Sequence, residues 1–424
     1  MRAVIIKPIV EQHAEEAAFL WLLRNAAVHE PHYSLKDLAE LDNRLEAHLD
    51  GLRIAGEAAW EICQKALSIE EPGEVFVAAL FVFEGDNGQR VDEVISIAEK
   101  SPDTWQALVS AIAWLSDEHY QRWERAMWNA HAPAYQHLAL ARCIAHRRDP
   151  GQYLAQSLSD SDPVYKAHAL RAVGELKRFD LLPLLQQQFN SEDDACRFWA
   201  AWSSVLLGHS EGLDILKTFA TPSSHFCEHA IHMILRIMDL PVAISWLKPF
   251  SQHTEAKRLT VLGAGIIGDP LYIPWLVKLM RVPGLARVAG ESFSMMTGLD
   301  LAYENLEGEW PEGFEAGPTE NPEDEDVDMD IDEDLPWPDP VLVEGWWQNN
   351  AAYFPGGQRY LVGQPITVEH CQKILSTGFQ RQRKAAALEL ALLQKNAPLF
   401  NVCAEGGWQK KLLQKDSAHS EVLT

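Results

Sequence analysis

The stretch LGAGIIGDPLYIPWLVKL, residues 262–279, joins two apolar runs through a glycine and an Asp-Pro step. Gly268 tolerates the left-handed conformation that ends a helix, and Asp269 and Pro270 supply an N-cap and a first helical residue for the next one. Residues 256–267 therefore read as one helix, and Ile273, Leu276, Val277 and Met280 recur at helical spacing in a second. The same start signal stands at Asp162 and Pro163, ahead of Leu181, Leu182, Leu184 and Leu185. Leu154, Leu185, Leu216, Leu247 and Leu276 lie 31, 31, 31 and 29 residues apart. Aligning on them brings Gly174 over Gly265, Leu182 over Ile273, Pro183 over Pro274 and Gly208 over Gly268. A two-helix unit of about 30 residues cannot bury its apolar stripe alone, so successive units must stack into a helical solenoid. Fainter copies at 77–98, 107–128 and 139–158 bring the total to about seven units between Glu74 and Val282. The expected fold class is all-α, and solenoids of this kind usually bind other molecules rather than catalyse.

Outside the repeats, the composition changes twice. Residues 1–72 read as an N-terminal helical cap, with Ser34 and Asp37 spaced as a capping box. Residues 73–300 form the solenoid. Residues 301–340 are read as an acidic, mobile insertion, and 341–424 as a small C-terminal helical module. Of the net charge of −25, fifteen units come from acidic residues between Glu304 and Asp334, a segment without Lys or Arg, which leaves −10 for the rest. Such a segment is expected to stay extended and to be dispensable for folding. The acidic balance speaks against a nucleic-acid partner, which needs a basic stripe to displace counterions, and favours a basic protein partner. Six dispersed cysteines without a CxxC pair suggest reduced thiols, and no apolar run reaches the length of a membrane span, so a cytoplasmic protein is expected.

Several patterns resemble chemistry. Residues 263–268 spell GxGxxG but sit inside a helical unit, whereas a dinucleotide site needs a preceding strand, so no cofactor is expected. His225, His229 and His232 stand at i, i+4 and i+7 and are a candidate metal-ligand face, set against a reading as a polar ridge. Asp328, Asp330 and Asp332 alternate like the start of a calcium loop, but Glu333 replaces the required glycine and Asp339 the final glutamate. No catalytic motif appears, and no enzyme activity is expected. Of the fifteen tryptophans, Trp310, Trp337, Trp346 and Trp347 flank the acidic stretch, where they either pin it or line a partner groove. Residues 380–384, with Arg381, Arg383 and Lys384, make a compact basic run opening a helix whose apolar face continues through Leu388, Leu390 and Leu393. It is read either as a partner-docking patch or as a solvated helix start.

The stretches ALRAVGELKRFDLLPLL (169–185) and LGAGIIGDPLYIPWLVKL resemble HEAT repeats. Three further stretches, LAELDNRLEAHLDGLRIAG (38–56), LPWPDPVLVEGWWQNNAAYFPGGQRYLVGQPIT (335–367) and FQRQRKAAALELALLQKNAPLFNVCAEGGWQKKLL (379–413), make the chain similar to a proteobacterial HEAT-repeat family. Genes of that family often lie in type VI secretion clusters. The resemblance implies an adaptor or accessory protein that engages an effector or spike component through the solenoid's concave face. An immunity protein masking a basic toxin is the alternative, and a metal-dependent enzyme using the His225 cluster a remote one.

Overall fold

The computed structural model describes residues 5–317 and 329–421. It is all-α: among the described residues, strand pairing is limited to a two-stranded hairpin, Tyr360–Leu361 with Gln364–Pro365, and two isolated bridges, Ser34 with Phe379 and Glu307 with Pro338. The chain divides into two compact units. The first comprises Met1–Leu181, Ser376–Arg381 and Ala397–Thr424, and the second Leu182–Leu375 and Gln382–Asn396.

In the first unit, the helices Pro72–Glu84, Pro102–Trp114, Pro133–Ala145 and Pro163–Glu175 form a row in which each packs on the next. They begin at intervals of 30, 31 and 30 residues, each with proline in the first turn, where its missing N–H costs nothing. The second unit contains the row Asp194–Leu206, Cys227–Ile237, Lys257–Ile267 and Pro283–Thr297. Row helices bury much of their surface. Phe76, Val75, Ala78, Ala79 and Leu80 are at most 1% exposed on the first, so that helix reads as apolar rather than amphipathic. The leucines that set the period lie on the partner helices that flank the rows, and all five, Leu154, Leu185, Leu216, Leu247 and Leu276, are 0–1% exposed. Before the first row, Ser34 and Asp37 form the capping box at the start of Leu35–Ala55.

The glycines of the GxGxxG string serve packing. A Cβ at Gly263 would lie 2.6 Å from a Leu247 methyl, and one at Gly265 would lie 2.9 Å from Ser292, whose hydroxyl donates to the Val261 carbonyl. Gly268 caps its helix at φ +70° and Asp269 accepts from the Leu271 amide, so the turn takes the form its sequence requires.

In each unit, a segment from late in the chain runs across the carbonyl ends of row helices. In the second unit, Arg359 donates to the carbonyls of Leu235 (2.6 Å) and Met238 at the end of Cys227–Ile237. The Tyr360 amide donates to Gly268 O at the end of the next row helix, at 2.8 Å, and the amides of Val362 and Gly363 donate to Met295 O and Met296 O in the last turn of the one after. Gly268 and Gly298, thirty residues apart, are the caps this segment touches. A Cβ at the first would lie 2.4 Å from Tyr360 O, and one at the second 2.8 Å from the Val362 carbonyl carbon. In the first unit, Asn401 donates to Ala145 O (2.9 Å) and the Leu399 amide to Glu175 O (2.8 Å), closing two row helices in the same way.

Composition predicts a mobile insertion; the described arms of the acidic stretch are anchored to the repeats at several points, with Trp310, Met329 and Ile331 left exposed. Gly308 N donates to Trp337 O and Asp339 N to Leu306 O, closing the base. Asp332 is 6% exposed and pairs with Arg258 at 2.5 Å, while Asp330 pairs with Arg287 at 2.6 Å. The Arg287 guanidinium stands 5.1 Å from the ring centres of both Trp310 and Trp337. The stretch has no basic residue of its own, but helices in the repeat rows supply them. Asp328, the first of the alternating aspartates, lies outside the described residues.

Leu276→Ala is expected to cost about 2–5 kcal/mol in denaturant unfolding, the range for a fully buried leucine. A change below about 0.5 kcal/mol, typical of surface positions, would overturn the repeat register.

Candidate functional site

Trp346 and Trp347 lie on the helix Pro340–Asn350, which begins with Asp339 accepting from the amides of Val341 and Leu342. Both rings are half-buried against the second unit's core. Trp346 meets Phe293 edge-to-face at 5.6 Å, and Trp347 lies 5.7 Å from Phe354. They pin the helix. Its exposed apolar residues are Val341 and Leu342, with Tyr353 just beyond at 75% exposure, and sequence reading passed over all three.

The basic run 380–384 is not a surface patch. Gln380 is buried, its side chain donating to Val28 O and Val402 O and its amide to Tyr33 O. Arg383 is 0% exposed and donates through Nε to Leu375 O at 2.8 Å, so charge reversal there tests folding rather than docking. Arg381 is half-buried, and Lys384 is exposed. The helix Gln380–Leu393 buries Ala385, Ala386, Ala387 and Ala391, whereas Leu393 is exposed and Leu388 and Leu390 are half-buried. Close approach selects alanine here, so the apolar face is the one that the leucines do not mark.

The histidines do not converge. The helix starts at Cys227, which leaves His225 outside it, and His229 lies against the rings of Trp199 (5.6 Å) and Phe198 (6.4 Å). His232 accepts from Arg236 at 2.8 Å. Burial, then Arg236 and Lys384, hold its imidazole well below the ordinary value. A guanidinium on the would-be ligand nitrogen repels a metal cation. Among the described residues, the three do not form a ligand set within 4.8 Å.

Several buried charged groups form ion pairs, each internal to one unit. Arg24 pairs with Asp42 at 3.0 Å and also donates to Cys403 O and Ala404 O. Glu175, 1% exposed, pairs with Arg147 (2.5 Å) and Arg171 (2.8 Å). Burial pushes its carboxyl upward, but the two arginines overcome this and hold it below the ordinary value. In the second unit, Glu389 pairs with Arg236 at 3.0 Å. There burial wins and raises the carboxyl despite Arg236 and Arg359. Arg147 also donates to Leu399 O and Arg359 to Leu235 O, so these pairs tie the capping segments to the repeats. Partners 28 and 153 residues apart leave no local spacing signal; Arg171 and Glu175, at i and i+4, are the exception.

Residues 151–236 match the family model described as HEAT repeats. No curated protein and no solved structure matches the chain. The matched segment takes in Pro163–Glu175, Asp194–Leu206 and most of Cys227–Ile237, three of the row helices, and HEAT repeats serve protein interaction. No helix among the described residues is long and apolar enough to cross a membrane.

Glu175→Gln is expected to cost about 3–5 kcal/mol at neutral pH, because it leaves buried arginine charge uncompensated. The folded-state value lies below the ordinary 4.5, so the stabilisation is complete above 4.5 and lost as pH falls through the folded value. Thermal melts of wild type and variant should converge as pH drops below 4.5. A gap that stays constant with pH would contradict the ion-pair origin.

Proposed function

We propose that this protein is a non-enzymatic, protein-binding adaptor of type VI secretion that engages an effector or spike component in the cytoplasm. The observation that carries the binding role is the HEAT-repeat match at 151–236 within rows of helices repeating every thirty or so residues. Repeats of this kind present long surfaces built from successive units and recognise protein partners with them. The buried ionic groups support a binding role over catalysis. Glu175, Glu389 and Asp42 are each buried and paired with arginine inside the fold. The secretion pathway rests on the sequence resemblance of residues 38–56, 335–367 and 379–413.

The carbonyl ends of several row helices are occupied by the chain's own segments at 359–363 and 399–401, so a partner docks on other faces. The net charge of −25 favours a basic partner surface and gives the immunity reading its support. Affinity purification of the tagged chain from its native strain, paired with a deletion strain, separates the readings. An adaptor brings down an effector or spike component, and its loss lowers export of that component. Killing of the deletion strain by its own siblings, with export unchanged, would overturn the adaptor in favour of immunity.

A further inference from the structure

A small cavity of about 80 Å³ lies in the first unit where successive helices meet. Trp128 comes from the end of Asp117–Asn129, Gln136 from Pro133–Ala145, Tyr153 and Ser157 from Gln152–Ser157, and Tyr165 from Pro163–Glu175. Asp160 sits in the turn before the last. Each ring is held in place. Trp128 and Tyr153 stack at 4.3 Å with an interplanar angle of 8°, and Tyr165 stacks on His137 at 3.8 Å. Ser157 donates to the Tyr153 carbonyl and therefore accepts from the Tyr165 hydroxyl at 2.7 Å, so both hydroxyl protons are committed. Asp160 differs. Its Oδ1 accepts the Asp162 amide at 2.8 Å, and no hydrogen bond or ion pair among the described residues engages Oδ2.

Three aromatic rings and a carboxylate oxygen without a partner select for positive charge. Ring faces and carboxylate both attract a cation, the carboxylate repels an anion, and a neutral donor gains at most a hydrogen bond without the charge and cation–π attraction. A cavity this small suits a narrow chain end. We propose that this cavity binds an alkylammonium group, the chemistry shared by a lysine side chain and a free small amine. None of these residues is among those singled out from sequence, because they come from four helices and a turn.

Calorimetric titration of the full chain with n-butylammonium chloride, and with 1-butanol as a neutral counterpart of similar size, tests the site. Saturable binding of n-butylammonium and none of butanol is expected. Asp160→Asn keeps the acceptor for the Asp162 amide while removing the charge, and should weaken binding about tenfold with an unchanged melting temperature. Trp128→Leu should weaken it comparably, and if that variant melts early, the Asp160→Asn result stands alone. Equal heats for the amine and the alcohol, or wild-type affinity in Asp160→Asn, would overturn the proposal. Titration with N-acetyl-lysine methylamide distinguishes the sources: tighter binding than n-butylammonium assigns the cavity to a lysine of a protein partner, and weaker binding to a free amine.

Discussion

The carbonyl groups at the ends of buried helices must find donors, and the structure depends on how this is met. A helix leaves its last four carbonyls without intrahelical partners, and row helices whose ends are covered cannot hand them all to water. In each unit, donors come from far along the chain. Arg359, Tyr360, Val362 and Gly363 serve three row helices of the second unit, and Leu399 and Asn401 serve two of the first. Because the repeats place these ends at regular intervals, one extended segment meets several in succession. The residues after the repeats thus complete the repeats, which is why the C-terminal part of the chain contributes to both compact units.

Charge follows the same logic. Where this acidic chain buries Asp42, Glu175, Glu389 and Asp332 it brings an arginine to each, whereas the equally buried Asp269 accepts from the backbone amides of Leu271 and Gly357. Such arginines use their remaining donors on backbone carbonyls: Arg24 on Cys403 and Ala404, Arg147 on Leu399, and Arg287, the partner of Asp330, on Asp332. Such groups are costly to leave half-paired, so they fix the position of each late segment more sharply than apolar contact would. The acidic arms around Asp330 and Asp332 are held by this means, with Arg287 between two tryptophan rings.

What was legible in the sequence was local. The leucine period, the Gly268 turn and the Ser34 capping box each depend on residues within one unit, and each stands where the sequence placed it. The prolines that open Pro72–Glu84, Pro102–Trp114 and Pro133–Ala145 carried the same period but went unread beside the louder leucines. The capping segments left no such trace, because most of their donors are backbone amides with no side-chain signature. In Gln380–Leu393, the leucines pointed to the wrong face, since tight packing chose alanines. Arg383 looked like part of a solvated basic run, and only a distant carbonyl at Leu375 explains its burial. For the candidate partner residues, sequence named Trp346 and Trp347 but not that Phe293 and Phe354 hold them.

This closure requires that the late segments stay seated on the helix rows. Native-state hydrogen exchange at the amides of Tyr360, Val362, Gly363 and Leu399 measures that directly. If these amides cap the row helices, they exchange as slowly as core amides such as those of Ala264 and Leu170, and slow down together. Exchange as fast as that of exposed loop amides would show that the segments do not close the helices, and the proposed dependence of the repeats on their C-terminal residues would be wrong.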